Sequence, residues 1–367
     1  MVDSDKIGIG LTDFHLLVSH AGLALISVYG IVNIMVIVNH SCNPVVSGSF
    51  AVGITEIHIS DNFRDVFIGH RKSARGFFSC GTDRCRIHRD GSHGGWAAAF
   101  FIKHDVTKGN VAAVLYSNPN NPAWICLTEE ELQIIGELAT KYDVIVLEDM
   151  AYLCMDFRKD MSVPFEPPFQ STVARYTDNY VMLLSASKIF SYAGERIGMV
   201  CIGDKLYRRE YPALKEKWGI ASFGDNFILN YLYINTSGAA HTAQYAFSAM
   251  LEASVDGRYN FVKELREYGQ RAYLSREIFE RNGFHLVYDR DMEQTIGDGF
   301  FYTVGYKRMQ NRELLEALFR CGVVAIPLNT TGSGQCGIRV CVSRLLSEAD
   351  FQRLEEHLKL FVNLVNS

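Results

Sequence analysis

From residue 109 onward, apolar and polar positions fall into two regular patterns. Val111–Tyr116 (VAAVLY), Val144–Leu147 (VIVL), Tyr180–Leu184 (YVMLL) and Met199–Ile202 are short unbroken apolar runs, which predict strands buried on both faces. Between the first two, Thr128-Glu129-Glu130-Glu131 forms a capping box. Leu132, Ile135, Ala139 and Tyr142 then share one helical face. Strands alternating with helices predict an α/β fold around a mostly parallel sheet. Further on, residues 259–282, Gly299–Gly305, Arg312–Ala325 and Ser347–Val365 read as helix, strand, helix and helix.

Residues 1–108 show no sustained helical or strand period. This stretch holds one glutamate, Glu56, and no leucine between Ile26 and Lys108. Phe14–Thr55 contains no Asp, Glu, Lys or Arg, whereas Arg64, Arg71, Arg75, Arg84, Arg86 and Arg89 crowd the region that follows. Three readings compete: a membrane anchor over Ala21–Val38, an unusual folded segment, or an altered reading frame. The frame reading is favoured. Ala21–Val38 has a spanning length, but Asn33, Gly22 and Gly30 interrupt it and acidic residues lead into it. Cys80, Cys85, His88 and His93 have zinc-ligand types at a spacing that fits structural zinc poorly, so no metal is expected.

Composition narrows the picture. Hydrophobic residues make up 48% and charged residues 21%, which excludes a wholly disordered chain. The net charge of −5 gives no reason to expect a nucleic-acid partner. Nine cysteines, an odd and scattered number, point to a reducing cytoplasm rather than a secreted disulfide framework.

Three predicted strands deliver Asn121, Asp149 and Lys188 just beyond their carboxyl ends. That edge is where open α/β sheets bind ligands. A lysine can form a Schiff base with an aldehyde cofactor. A carboxylate can keep a pyridine nitrogen protonated, an amide and a phenol can bind a ring oxygen, and hydroxyls with an arginine can bind phosphate. Lys188, Asp149, Asn121, Tyr152, Ser185, Ser187 and Arg196 supply these groups.

Together these residues resemble the class I/II aminotransferases, the pyridoxal-phosphate enzymes of fold type I. Asn118-Pro119-Asn120-Asn121-Pro122 is similar to the family's N-P-x-N-P turn, and Asp149-Met150-Ala151-Tyr152 to its D-x-A-Y. Ser185-Ala186-Ser187-Lys188 with Gly194, Arg196 and Gly198 is similar to S-x-S-K-x5-G-x-R-x-G. The resemblance covers about residues 105–366.

It implies a large cofactor domain over 109–245 and a smaller α+β domain over 246–367, after the atypical segment 1–108. It also implies a homodimer that uses pyridoxal 5'-phosphate to move an amino group between an amino acid and a 2-oxo acid. Lys188 would carry the cofactor as a Schiff base and shuttle the proton. Asp149 would pair with the ring nitrogen, Asn121 and Tyr152 with the phenolic oxygen, and Ser185, Ser187 and Arg196 with the phosphate. Arg339, in Gly337–Val342, would clamp the substrate carboxylate, with Arg344 as the alternative. A lyase or decarboxylase of the same fold, or a non-catalytic remnant of the scaffold, would carry the same motifs.

Two departures stand out. Ala123-Trp124 follows Pro122 where Thr-Gly is common in the family. Upstream, Asp90–Trp96 is the one candidate for a glycine-containing phosphate loop, and it lies too close to Asn121 for the family's intervening elements.

Overall fold

The computed structural model describes residues 111–367 apart from 235–237, 292, 293, 297 and 332, together with the backbone of five short strands upstream. The Cys80–His93 cluster and the Asp90–Trp96 loop lie outside the described residues.

The central sheet has seven strands: β1 (Ile26–Val28), β2 (Val32–Val38), β3 (Gly76–Ser79), β4 (Val111–Ser117), β5 (Ile145–Met150), β6 (Tyr180–Ser185) and β7 (Ile197–Ile202). Their order is β1-β2-β7-β6-β5-β4-β3. Pairing is parallel except at β6–β7 and β1–β2. The expectation of a mostly parallel sheet therefore holds.

The spanning-helix reading of Ala21–Val38 does not hold. Within it, Ile26–Val28 and Val32–Val38 form the antiparallel pair β1 and β2, and β2 pairs in parallel with β7, while residues 21–25 and 29–31 lie outside the described residues. An uncharged apolar run suits a doubly covered strand as well as a membrane. Among the described residues no helix is long and apolar enough to cross a membrane.

Alternation along the strands builds a core on each face of the sheet. Val146, Met150, Met182 and Leu184 face one side, covered by Leu132, Ile135 and Ala139 of helix α1 (Glu129–Tyr142). Ile145, Leu147, Val181 and Val200 face the other, covered by Leu206, Phe223 and Phe227. Each such buried aliphatic side chain contributes roughly 1.5–3 kcal/mol. The capping box of α1 forms as expected: the Thr128 hydroxyl accepts from Glu131 N, and the Glu131 carboxylate accepts from Thr128 N.

After helices α2 (Ala186–Ile189), α3 (His241–Val255) and α4 (Phe261–Arg281), the chain enters a four-stranded antiparallel sheet. Its strands are β8 (Phe284–Leu286), β9 (Phe301–Tyr306), β10 (Ile326–Pro327) and β11 (Ile338–Cys341), in the order β8-β9-β11-β10. Helices α5 (Asn311–Arg320) and α6 (Glu348–Asn366) and the end of α4 pack on it through Phe279, Leu314, Leu318, Leu358 and Phe361. α5 stops earlier than its apolar pattern predicts, because Gly322 turns left-handed at φ 80° just past the Cys321 cap. α4 links the two cores: Phe261, Val262 and Leu265 belong to the first, Ala272, Ile278 and Phe279 to the second.

Candidate active site

The turn after β4 is fixed from several sides. Asn118 N donates to the Asp149 carbonyl at 2.9 Å, and Leu127 N donates to Asn118 Oδ1 at 3.0 Å. Gln170 Nε2 donates to the Asn118 carbonyl at 3.0 Å, while Gln170 Oε1 accepts from Cys154 N at 2.7 Å. Gln170 therefore ties the asparagine turn to the loop that follows Tyr152.

Asp149 and Glu148 are neighbours on β5 and point to opposite faces. Asp149 is half-buried at the strand end, and its Oδ1 accepts from Ala151 N at 3.0 Å. Glu148 is fully buried; its carboxylate accepts from Thr172 Oγ1 at 2.6 Å, Val173 N at 3.0 Å and Asn118 Nδ2 at 3.4 Å. Burial pushes the Glu148 carboxyl up to about 6, and these hydrogen bonds hold it from rising further.

At the end of β6, the Ser185 hydroxyl accepts from Ser187 N at 3.2 Å and so starts α2, which carries Lys188. The Ser187 hydroxyl is buried and has no hydrogen-bond partner among the described residues. Such an orphan costs roughly 1–3 kcal/mol, a burden an anion at this spot would relieve. Lys188 Nζ lies 5.7 Å from the centre of the buried Tyr152 ring. Arg196 sits in a left-handed turn at φ 53°, with Nη1 donating to the Ala193 carbonyl at 2.7 Å.

Arg339, on β11 of the antiparallel sheet, reaches this region. Its Nη1 donates to Asn121 Oδ1 at 2.7 Å, and its guanidinium carbon lies 3.9 Å from the Phe301 ring centre. The structure thus joins Asn121 to Arg339 and sets Lys188 beside Tyr152. It commits the Asp149 carboxylate and the Ser185 hydroxyl partly to local backbone.

Sequence reasoning missed Trp124, Phe301, Glu148 and Gln170. Trp124, one of the two departures from the family pattern, is buried with its backbone at φ 63°. That conformation suits the glycine common there in the family. The indole centre is 5.1 Å from Tyr152 and 6.1 Å from Phe301. Phe301, within the predicted strand Gly299–Gly305, is buried in the core and is also a platform for Arg339. A carboxylate inside the apolar run VIVLEDM was the available signal for Glu148. Among the described residues no group of three or more His, Cys, Asp or Glu could hold a metal ion.

The profile of the aminotransferase class I and II family matches residues 101–358. The chain belongs to that family, whose members use pyridoxal phosphate. Curated relatives match over shorter stretches. The mitochondrial kynurenine/alpha-aminoadipate aminotransferase of Bos taurus is 38% identical over 95 residues, which is 25% of this chain and 21% of that protein. A probable aspartate aminotransferase of Methanocaldococcus jannaschii is 24% identical over 105 residues, 29% of this chain and 25% of that one. The chain thus spans about a quarter of the length of these relatives. Among solved structures, a mutant aspartate aminotransferase of Thermus thermophilus superposes with a TM-score of 0.53 at 20% identity, covering 72% of this chain and 60% of that one. A PLP-bound putative aminotransferase of Clostridium difficile 630 gives 0.53 at 14% identity, over 83% and 75%. These likenesses establish the fold, fold type I.

Proposed function

We propose that this chain is a pyridoxal-phosphate-dependent aminotransferase that exchanges an amino group between an amino acid and a 2-oxo acid by a ping-pong route. The observation that carries the reading is the contact between Asn121 and Arg339, which brings the proposed ring-oxygen ligand and the proposed carboxylate clamp together across two domains. The orphaned hydroxyl of Ser187, one residue before Lys188, fits a phosphate.

Bound here, the cofactor supplies an electron sink for the substrate α-carbon. Lys188 would hold it covalently, and its amine would move the proton at the substrate α-carbon. Asp149 keeps the ring nitrogen protonated. Asn121 and Tyr152 bind the ring oxygen, and Ser185, Ser187 and Arg196 bind the phosphate. Arg339 grips the substrate carboxylate, for which a planar guanidinium is suited. A homodimer agrees with the apolar residues Leu229, Tyr233 and Ile234, which are 48%, 54% and 60% exposed in this chain. The six described cysteines are all free thiols, which agrees with a cytoplasmic setting.

The experiment is incubation of the cofactor-loaded protein with isotopically labelled amino acids and a set of 2-oxo acids. Transfer of the amino nitrogen to the oxo acid supports the reading. Release of carbon dioxide or a side-chain fragment without that transfer marks a lyase or decarboxylase, and no turnover with cofactor bound marks a scaffold that binds without catalysing.

A further inference from the structure

Arg339 reaches the site as a long side chain with many accessible rotamers, and a carboxylate clamp needs its plane fixed beforehand. Asn121 Oδ1 holds one edge of the guanidinium. The broad face rests on Phe301, 3.9 Å from guanidinium carbon to ring centre. Arg339 pairs with Thr303 across β9 and β11, so Phe301, two residues from Thr303, is its diagonal neighbour on the same face of the sheet.

The ring is itself confined. Phe301 is 4% exposed, with Tyr152 at 5.5 Å and 80° to its plane and Trp124 at 6.1 Å and 84°. Gly299 lies so close to Trp124 that a Cβ there would fall 2.0 Å from the indole. The platform therefore has little room to tilt.

We propose that Phe301, braced by Trp124, is a positioning residue that sets the plane of the Arg339 guanidinium and so tunes affinity for the substrate carboxylate. This rests on Arg339 being the carboxylate clamp. The attraction between a cation and a ring face depends on the ring's quadrupole, so it can be weakened with little change of shape.

The experiment uses the cofactor-loaded full chain with Phe301 replaced by phenylalanines carrying one, two and three ring fluorines, alongside Phe301→Leu and Phe301→Tyr. The dissociation constant of butyrate, a carboxylate without an amino group, is read by calorimetry, and KM and kcat are read with amino acids. Butyrate affinity and KM should weaken stepwise with fluorination, by about tenfold at the end of the series. Phe301→Leu should show a similar loss and Phe301→Tyr should restore affinity. kcat, cofactor absorbance and the rate with a primary amine lacking a carboxylate should stay unchanged. Indifference of butyrate binding to fluorination, or a parallel fall in the amine reaction, overturns the proposal. Because the fluorinated rings preserve shape, the test survives even if the leucine variant misfolds. Arg339→Ala separates the two layers: unchanged butyrate affinity there removes the clamp reading itself, whereas loss there with a flat fluorine series removes only the role of Phe301.

Discussion

Arg339 Nη1 and Asn121 Oδ1 meet at 2.7 Å although 218 residues separate them in the chain. The bond closes the asparagine turn after β4 onto β11 of the four-stranded antiparallel sheet. Charged hydrogen bonds from the proposed clamp Arg339 to a substrate carboxylate would contribute about 1.5–3 kcal/mol. Arg339→Ala should therefore raise KM for amino acids and oxo acids alike by roughly ten- to a hundredfold. Steady-state kinetics with both substrates checks this, and Arg339→Lys should recover only part because it cannot bind a carboxylate in bidentate fashion.

Lys188 is the lysine at the end of the strand-and-cap segment Ser185–Lys188. Borohydride treatment of the loaded protein, followed by digestion and mass spectrometry, should place the reduced cofactor on the peptide containing Lys188. A label on Lys205 or Lys215 would falsify the assignment.

Asp149 lies beyond the hydrophobic part of β5 with one oxygen engaged by Ala151 N. Asp149→Ala should leave the cofactor attached but slow α-proton removal by about a hundred- to a thousandfold, the scale for a preorganised charge. Single-turnover exchange of the α-proton with solvent deuterium measures that step. Normal exchange in the variant would remove Asp149 from the ring nitrogen.

Glu148 gives stability its own pH dependence. Its folded pKa, about 6, lies above the ordinary 4.5, so the folded chain binds more protons than the unfolded one between those values. Stability from this group is fully present below about pH 4.5 and is lost as pH rises through about 6, some 2 kcal/mol in all. In Glu148→Gln this component should vanish. Urea unfolding of both proteins at intervals from pH 4.5 to 7 should give a difference that changes across this window; a constant difference contradicts the burial argument.

Gly299 is held by contact. A methyl group at this position meets the Trp124 ring at 2.0 Å. Gly299→Ala should cost about 1–3 kcal/mol, and pairing it with Trp124→Leu should recover part of that loss. A denaturant double-mutant cycle would show the coupling.

Periodicity was enough to reveal the strands and caps from residue 111 onward, because burial on both faces leaves a continuous apolar signature. The same reasoning singled out Asp149 and Lys188 as candidates, and the structure places the first at the end of β5 and the second just after β6. It was blind to side chains with two duties. Phe301 satisfies a strand pattern whether or not a guanidinium lies on it, and Trp124 carries no local sign of its left-handed backbone. β1 and β2 were illegible for a different reason. A leucine-free, uncharged run satisfies several environments, and only pairing with β7 distinguishes among them.

Glu148 and Asp149 sit side by side on one strand, the first sealed in the interior and the second at the strand end. Parity along the strand is all that sorts them. Deleting a single residue from the Val144–Leu147 run would swap their faces, turning Asp149 inward and Glu148 outward. Selection can trade one aliphatic for another along that run with modest effect, but it cannot change the number of residues. In this segment the number of residues carries information apart from their identity.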